Sequence, residues 1–523
     1  MALARTHSVA LVGVHGHVIE VEADIANGLV GMTLVGLPDT ALREARDRIR
    51  SAIINSGEQW PQRRITVGLS PASLPKRGSG FDLPIACALL AAAGVLRAGA
   101  LAGVMFLGEL GLDGQLRPVR GVLPAAVAAV AAGFGRVVVA SANAQEAALV
   151  PGLRVLSAPT LAALLSWLRG EPSDGGVAVE ELTGGSLPAA PPAAPPEPGG
   201  RGPSADLSDV LGQPVARRAA EICAAGGHHL SLLGPPGAGK TMLAERLPTI
   251  LPRLDPDAAL EVTSIHSVAG ALPPAGPLLT RPPFCGPHHT ASKSAMVGGG
   301  SGVIHPGAAS LAHRGVLFLD EAPEFGRDVL DALRQPLESG EVLIARCGIT
   351  ARFPARFTLV LAANPCPCAK AAASPRSNCS CSPATKRRYL GRLSGPLLDR
   401  VDVKVELLPV GRAELLSDRQ FAETSAAVAA RVTQARDRAA RRFRGTPWRI
   451  NAEVPGSELR RSYAPGRAAM APLERAMEIG EVSARGIDKI VRVSWTLSDL
   501  AGKDRPTLDE CGYALGLWLG VVK

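Results

Sequence analysis

The sequence predicts a mixed α/β protein of several domains, and three of its features carry that prediction. The chain has 523 residues, enough for two to four domains that each bury an apolar core. Residues 229–233 and 315–319 are short apolar runs typical of buried strands, and a helix-like run at 242–247 follows the first after a glycine-rich loop. Residues 184–203 are rich in proline and glycine, so they predict a spacer between two folded parts.

Residues 1–170 are expected to form an α+β domain. Its predicted elements are strands at 8–13, 17–23, 32–36 and 64–69, a charged helix at 39–56, an alanine-rich helix after Phe81 and a late strand at 137–140. The stretch 85–107 is apolar, but Arg97 interrupts it, so a buried helix and strand are predicted there rather than a membrane span. Residues 171–205 are assigned to the linker, because dense proline supports neither a helix nor a sheet ladder.

A phosphate-binding loop is the most specific motif of the chain. Glycines let the backbone turn so that its N–H groups face phosphates, and the helix that follows favours anions at its N-terminus. Lys240 is expected to reach the β- and γ-phosphates of a nucleotide, and the Thr241 hydroxyl is expected to ligate Mg²⁺. The sequence therefore predicts ATP and Mg²⁺ at a complete Walker A loop: Gly234, Pro235, Pro236, Gly237, Ala238, Gly239, Lys240 and Thr241.

Two carboxylates end the apolar run that follows about eighty residues later. They are Asp320 and Glu321. In the Walker B arrangement the first residue holds Mg²⁺ through water and the second polarises the water that attacks the γ-phosphate. The pair therefore predicts ATP hydrolysis rather than nucleotide binding alone.

The remaining core and the C-terminal part are assigned from pattern. Residues 206–408 are expected to form the nucleotide-binding α/β core, with further strands at 357–362 and 401–406 and a β-hairpin at 339–353 whose turn lies near Gly348. Residues 409–523 are expected to be mostly helical, and the helix at 421–443 is rich in arginine. Its arginines have two interpretations, a solvated face or contact with nucleic acid. The five histidines between 266 and 313 are taken as structural or loop residues, because their spacing is too irregular for a metal motif.

Composition narrows the class of partner. The formal net charge is +9 and the sequence pI is about 9.3, which favours an anionic partner such as nucleic acid, although charge alone is weak support. Aromatic residues make up 3% of the chain, so base stacking is not expected to dominate binding. Residues 1–7 lack the apolar core of a signal peptide, so a cytoplasmic protein without a membrane segment is expected.

Four cysteines cluster inside the predicted core. They are Cys366, Cys368, Cys379 and Cys381. Paired cysteines in a cytosolic ATPase favour metal over disulfide, and four thiolates suit tetrahedral Zn²⁺, although Cys-x-Cys is tighter than the common Cys-x₂-Cys spacing. A structural zinc site, a redox pair and no ligand role all remain open from the residues alone.

Beyond the Walker motifs, the core resembles the AAA+ class. Asn364, at the end of a strand, resembles the sensor-1 residue that positions the attacking water, and Arg400 lies in a segment resembling the arginine finger of the magnesium-chelatase and minichromosome-maintenance branch. Arg485 resembles the sensor-2 arginine on the C-terminal helical lid of that branch. The resemblance implies that an arginine reaches the site of a neighbouring subunit and stabilises transition-state charge.

Nearly the whole chain resembles the bacterial YifB/ComM family of magnesium-chelatase-like ATPases. The matching runs are 35–39 (Val-Gly-Leu-Pro-Asp), 81–85 (Phe-Asp-Leu-Pro-Ile), 107–110 (Leu-Gly-Glu-Leu), 226–229 (Gly-Gly-His-His), 287–290 (Pro-His-His-Thr), 297–300 (Val-Gly-Gly-Gly), 318–321 (Phe-Leu-Asp-Glu) and 395–402 (Gly-Pro-Leu-Leu-Asp-Arg-Val-Asp). Cys285 departs from the pattern, which has a basic residue before Pro-His-His. The resemblance implies a hexameric DNA helicase that promotes branch migration in natural transformation and recombination, with residues 346–352 lining a central pore.

The N-terminal block resembles the Lon-protease fold. The catalytic serine of Lon lies in a Pro-Lys-x-Gly-x-Ser segment, whereas residues 75–80 read Pro-Lys-Arg-Gly-Ser-Gly. Ser79 is one residue early and Gly80 stands at the nucleophile position. The downstream segment offers Arg120 instead of a lysine, and arginine stays protonated, so no Ser–Lys dyad is expected. The domain is interpreted as an inactive protease-like fold that serves assembly or DNA binding.

Two other functions compete with a DNA motor. One is the motor subunit of a magnesium chelatase, and the other is an ATP-driven remodeller or protease acting on a protein client. The N-terminal block and the basic C-terminal helix favour DNA over a chelatase, and the missing dyad argues against a protease. Stimulation of ATP hydrolysis by single-stranded DNA would separate these functions.

Overall fold

The computed structural model describes residues 2–36, 40–74, 76, 78–97, 99–171, 178–184, 205–273, 277–300, 303–346, 349–368 and 379–522. Most of the predicted spacer, the first residue of the predicted helix at 39–56 and the hairpin turn near Gly348 lie outside these residues. The described parts contain two large sheets and a C-terminal group of helices.

The N-terminal part is built on a mixed eight-stranded sheet in the order β10-β9-β8-β5-β1-β2-β4-β3. The long antiparallel pair β1–β2 forms its centre, and alternate β2 side chains are buried. A separate ribbon is made by β6 and β7. The strands are β1 (Ala2–Val12), β2 (His15–Ala26), β3 (Gly31–Val35), β4 (Arg64–Ser70), β5 (Val104–Leu107), β6 (Glu109–Leu110), β7 (Leu116–Arg117), β8 (Arg136–Ala140), β9 (Arg154–Ala158) and β10 (Glu180–Thr183).

Apolar helices cover this sheet. The predicted buried helix and strand within 85–107 are confirmed, since α2 is buried along almost its whole length and β5 lies inside the sheet. The helices are α1 (Thr40–Asn55), α2 (Asp82–Ala92), α3 (Val122–Ala131), α4 (Ala144–Ala147) and α5 (Leu161–Arg169). No helix among the described residues is long and apolar enough to cross a membrane.

A second sheet, entirely parallel, forms the centre of the chain, in agreement with the predicted α/β class. Its order is β12-β15-β18-β11-β19, and each neighbouring pair is parallel. Parallel strands carry functional loops at their carboxyl ends. The strands of this part are β11 (Leu230–Leu233), β12 (Phe284–Cys285), β13 (Gly298–Gly299), β14 (His305–Pro306), β15 (Val316–Leu319), β16 (Glu341–Arg346), β17 (Ile349–Pro354), β18 (Thr358–Ala363) and β19 (Val403–Glu406).

Two antiparallel ribbons extend from this core. The predicted hairpin at 339–353 is present as β16–β17, with Arg346 paired to Ile349, and the second ribbon is β13–β14. The helices of the core are α6 (Pro214–Gly226), α7 (Lys240–Ile250), α8 (Pro256–Ala269), α9 (Lys293–Val297), α10 (Ala308–Leu311), α11 (Arg327–Ala332), α12 (Arg334–Ser339), α13 (Pro383–Leu390) and α14 (Gly395–Leu398).

The C-terminal part is helical, as predicted. The arginine-rich helix begins at Ser425 rather than at residue 421, because the Thr424 hydroxyl accepts a hydrogen bond from the Ala427 N–H at 3.4 Å and caps the helix. The helices are α15 (Arg412–Asp418), α16 (Ser425–Arg442), α17 (Gly456–Ser462), α18 (Arg467–Glu478), α19 (Ala484–Ala501) and α20 (Leu508–Leu519).

Candidate functional site

The phosphate loop connects β11 to α7 at the carboxyl end of the parallel sheet. Gly237 and Gly239 adopt φ angles of 76° and 90°, which L side chains rarely accept. Gly234 is needed for a different reason, since a Cβ there would lie 2.7 Å from the Leu407 carbonyl oxygen. The loop therefore has the strand–loop–helix context that the sequence predicts.

Lys240 is folded back into the loop. Its side chain is buried, with the residue 7% exposed, and Nζ donates to the carbonyl oxygens of Gly234 at 2.7 Å and Pro235 at 2.9 Å and to Asn364 Oδ1 at 3.0 Å. Burial lowers the pKa of Lys240, and the nearby carboxylates of Asp320 and Glu321 oppose that shift. Lys240 and Asn364, which lie 124 residues apart, meet at one point.

Thr241 and Asp320 also meet. The Thr241 hydroxyl donates to Asp320 Oδ2 at 2.7 Å, and the Glu321 N–H donates to Asp320 Oδ1 at 2.9 Å. A hydroxyl and a carboxylate beside a phosphate loop are the hard oxygen ligands that Mg²⁺ prefers, so these residues fit the predicted metal. Glu321 has a φ of 49°, one of two positive values among the described non-glycine residues.

The two predicted arginines lie elsewhere. Arg400 is 8% exposed and donates to the Pro396 carbonyl oxygen and to the Glu338 carboxylate. Arg485 Nη2 lies 3.6 Å from the same Glu338 carboxylate. No hydrogen bond or ion pair between described residues connects either arginine to the phosphate loop. One chain thus assembles the Walker residues and Asn364, but does not bring the two arginines to them.

A buried ion pair holds the strand after Arg400 against the helical part. Lys489 Nζ donates to the Arg400 carbonyl oxygen and to Asp402 Oδ1, both at 2.7 Å, while Asp402 Oδ2 accepts from the His229 N–H at 2.9 Å. Burial is the largest single effect and raises the pKa of Asp402, but Lys489, His228 and His229 together outweigh it and hold the pKa well below its usual range. Burial also lowers the pKa of His229 to about 4, so this histidine is neutral at pH 7.

The arginine-rich helix does not present the basic face that either interpretation assumed. Arg436 donates to the Ala224 carbonyl oxygen, and Arg438 donates to that of Asp499. Other pairs involve Arg431 with Glu221 and Glu423, and Arg442 with Asp499 and Asn451. These four arginines fasten α16 to its neighbours, because fixed acceptors on α6, on α19 and beside them face the helix. The other two arginines at the end of this helix and just after it, Arg441 and Arg444, are exposed.

The cysteine cluster is compact. The four Sγ atoms of Cys366, Cys368, Cys379 and Cys381 all lie within 4.8 Å of one another, and Cys366 Sγ is 3.0 Å from Cys368 Sγ and 3.4 Å from Cys379 Sγ. Four sulfur atoms at such separations could bind one metal ion, and a tetrahedral thiolate set suits Zn²⁺. The cluster begins two residues after Asn364, so it adjoins the nucleotide site.

The sequence predicted structural or loop roles for all five histidines of 266–313, and the structure gives structural contacts to three of them, His266, His288 and His313. His266 Nε2 contacts the Leu311 carbonyl oxygen at 3.0 Å, and buried His313 contacts Glu261 at 2.9 Å. His289, however, lies with Nδ1 3.5 Å from Glu321 Oε2. In the sequence, only the His-His pair pointed to this contact of His289.

Cys285, which departs from the family pattern, is a half-buried thiol, and burial raises its pKa to about 11.

The N-terminal segment that resembles a protease site adjoins the core. The Ser79 hydroxyl donates to the Glu109 carboxylate, and fully buried Lys76 donates to the Pro71 carbonyl oxygen. Pro75 and Arg77 lie outside the described residues. A cavity of about 500 Å³ lies beside this segment. It is lined by Ser79 and Arg120 of the N-terminal part and by Ala351 of β17. No bond between described residues joins Lys76 to Ser79.

Three family profiles match the chain. The profile described as "Magnesium chelatase, subunit ChlI" matches residues 206–415, and the one described as "Subunit ChlI of Mg-chelatase" matches residues 21–143. The third, "Magnesium chelatase, subunit ChlI C-terminal", matches residues 422–517. The first match contains the phosphate loop, both Walker carboxylates, Asn364 and Arg400.

Similarity to individual proteins extends over almost the entire chain. An uncharacterized protein of Mycobacterium tuberculosis is 52% identical over 515 residues, which are 98% of this chain and 98% of the relative. The competence protein ComM of Haemophilus influenzae is 42% identical over 521 residues, 99% of this chain and 97% of that protein. The protein YifB of Escherichia coli K12 is 42% identical over 505 residues, 96% and 94% of the two chains.

Proposed function

Because the chain belongs to the YifB/ComM family of magnesium-chelatase-like AAA+ proteins, we propose that it is an ATP-driven motor that translocates on DNA. We infer a hexameric helicase that promotes branch migration in recombination or natural transformation. One observation carries the ATPase part: Lys240, Thr241, Asp320 and Asn364 converge, through hydrogen bonds of 2.7–3.0 Å, at the carboxyl ends of three adjacent parallel strands.

Each of these residues has a defined task in hydrolysis. Lys240 and the loop N–H groups bind the β- and γ-phosphates, while Thr241 and Asp320 hold Mg²⁺, directly and through water. Bound Mg²⁺ neutralises charge on the phosphate oxygens. Glu321 accepts a proton from the attacking water, and Asn364 orients that water. The family resemblance implies that hydrolysis takes place at subunit interfaces.

The arginines support a site that two subunits share. Arg400 and Arg485 meet at Glu338 within one chain, where Arg485 is 55% and Glu338 57% exposed at the side chain. This exposure leaves Arg485 and its acidic partner accessible to a neighbouring copy. In the proposed ring the Arg400 guanidinium leaves Glu338 and contacts the γ-phosphate of the next subunit, while Arg485 acts as the sensor-2 arginine of the helical lid. An arginine supplied in this way stabilises the transition-state charge.

The two ribbons of the core are the proposed DNA contacts. Arg346 and Arg352 are exposed on β16–β17, and Arg352 has Glu341 4.0 Å away as an ion-pair partner. The second ribbon packs on this hairpin, since a Cβ at Gly298 would lie 2.8 Å from Ile344 Cδ1. Exposed arginines on a hairpin suit contact with the DNA backbone. The net charge of +9 agrees with an anionic partner.

The N-terminal domain is proposed to support this hairpin rather than to cleave peptides. The Gly121 N–H donates to the Ser267 carbonyl oxygen at 3.2 Å, and the Ser267 hydroxyl donates to the Glu146 carboxylate, so β-sheet domain and core are joined at α8. The turn between β1 and β2 also abuts the hairpin, because a Cβ at Gly13 would lie 2.5 Å from the Arg352 carbonyl oxygen. These contacts support a role for the domain in positioning the hairpin.

A structural Zn²⁺ held by the four cysteines completes the proposal. It would join the end of β18, which carries Asn364, to the start of α13. A metal at that place fixes the chain on both sides of the segment 369–378 and thereby restrains Asn364.

ATP hydrolysis measured with and without DNA tests the proposal. Single-stranded and branched DNA are added to the full chain, and Glu321→Gln serves as the blank. Strong stimulation by DNA is the expected result. Hydrolysis that ignores DNA would contradict the DNA motor and favour a chelatase motor or a remodeller of a protein client. The N-terminal block does not decide between a DNA motor and a chelatase motor, because the profile that matches residues 21–143 is itself described as a magnesium-chelatase subunit.

A further inference from the structure

Glu321, the residue assigned to water activation, has a single side-chain partner among the described residues. Its carboxylate is 48% exposed, and Oε2 lies 3.5 Å from His289 Nδ1. Asp320, in contrast, is engaged through both oxygens by Thr241 and by the Glu321 N–H. The positive φ of Glu321 fixes the direction of its Cα–Cβ bond, but it does not fix the position of the carboxylate at the end of the side chain.

The fold explains why His289 reaches this carboxylate. Strand β12 runs parallel to β15, with Phe284 opposite Val316 and Cys285 opposite Leu317. The chain that continues beyond β12 therefore passes the end of β15, where Glu321 lies. The contact is thus fixed by strand pairing in the core.

The neighbouring histidine is engaged differently. His288 Nδ1 lies 2.8 Å from the Thr290 hydroxyl and accepts from the Thr290 N–H at 3.4 Å. The two imidazoles stack, with centroids 4.1 Å apart and an interplanar angle of 34°. His288 therefore stabilises the turn, and the ring of His289 is left facing Glu321.

We propose that His289 is a positioning residue for ATP hydrolysis. From this 3.5 Å contact, Nδ1–H closes to a hydrogen bond on the Glu321 carboxylate during the reaction and holds it in the orientation from which it accepts a proton from water. This role rests on the proposed ATPase function of the same site. A hydrogen bond to a charged group stabilises one orientation of an otherwise mobile, half-exposed side chain.

The test compares three variants in ATP hydrolysis by the full chain without DNA. His289→Ala is expected to lower kcat by about tenfold to a hundredfold and to leave KM for ATP within about twofold, because ATP is bound by other residues. His289→Asn is expected to recover part of kcat, since its amide N–H occupies the place of Nδ1–H. Lys293→Ala, at an exposed lysine four residues after His289, is the matched control, and its kcat should stay close to that of the wild type.

A second measurement separates positioning from loop damage. In the Glu321→Gln background, where ATP is expected to bind without being hydrolysed, His289→Ala should leave the ATP affinity measured by titration within about twofold, because other residues hold the nucleotide. Equal losses in Lys293→Ala and His289→Ala, no recovery in His289→Asn, or an unchanged kcat in His289→Ala would each overturn the positioning role. A wild-type chain that does not hydrolyse ATP would instead overturn the proposed function, and the role of His289 with it.

Discussion

The phosphate loop and the paired arginines are two halves of one proposed active site, and they differ in how complete they are. Around Lys240, the Walker residues and Asn364 already contact one another within a single chain. Arg400 and Arg485 instead converge on Glu338, with no bond to the phosphate loop among the described residues. The difference teaches that one chain brings the residues of the proposed nucleotide site together but leaves the two arginines away from them, as the proposal of a site shared between subunits requires.

The largest effect is expected at the complete half. Lys240→Ala removes the cation that three oxygens hold inside the loop, so nucleotide binding should be abolished. Calorimetric titration with ATP measures this. Lys293→Ala, at an exposed lysine outside the loop, is the control and should bind normally. Normal ATP affinity in Lys240→Ala would refute the assignment of the loop.

At the paired arginines, the incomplete half, we expect a loss of hydrolysis rather than a loss of ATP binding. Arg400→Ala should bind ATP but hydrolyse it about a thousandfold more slowly, since the transition-state charge lacks its guanidinium partner. Steady-state hydrolysis together with ATP titration measures both properties.

Mixing sharpens this comparison. Lys240→Ala and Arg400→Ala are each expected to be inactive alone, but an equal mixture should regain part of the activity. Some interfaces in mixed rings would then combine an intact phosphate loop with an intact arginine from the neighbour. Failure to recover activity, in mixtures shown to co-assemble, would argue against a shared site. Normal hydrolysis by Arg400→Ala alone would exclude the arginine-finger role.

At the buried pair Lys489–Asp402, which holds the chain next to Arg400, we expect a smaller effect on hydrolysis and a clear effect on stability. Lys489→Met leaves Asp402 buried without its cation, so the free energy of unfolding should fall by about 3–5 kcal/mol. Chemical denaturation measures the change. The double variant Asp402→Asn with Lys489→Met should lose less, because no unpaired charge remains. Equal losses in both would contradict the ion-pair explanation.

The smallest effect on nucleotide binding is expected at the cysteine cluster. Cys379→Ser should lose the zinc that elemental analysis is expected to find in the wild type, at one ion per chain, while ATP affinity stays nearly unchanged. Cys285→Ser is the matched control and should retain zinc, because Cys285 lies outside the cluster. Wild-type protein without zinc would refute the metal assignment.

The sequence by itself determined the α/β core and the residues of the complete half. Phosphate loop, acidic pair and Asn364 each follow a short apolar strand, and parallel strands necessarily bring their carboxyl ends together. Local pattern was therefore sufficient to predict Lys240 and Asp320 as parts of one nucleotide site, whereas Asn364 was identified through the resemblance to the AAA+ class.

Only the tertiary structure decided the rest, because it depends on partners distant in sequence. Arginine content alone could not show that Arg436 and Arg442 face acceptors on other helices, since a helix reveals its face only when packed. Spacing likewise could not reveal that His289 meets Glu321, which follows from the pairing of β12 with β15. Arg400 and Arg485 both contact Glu338. This meeting also depends on packing between segments distant in sequence, so no local pattern could predict it.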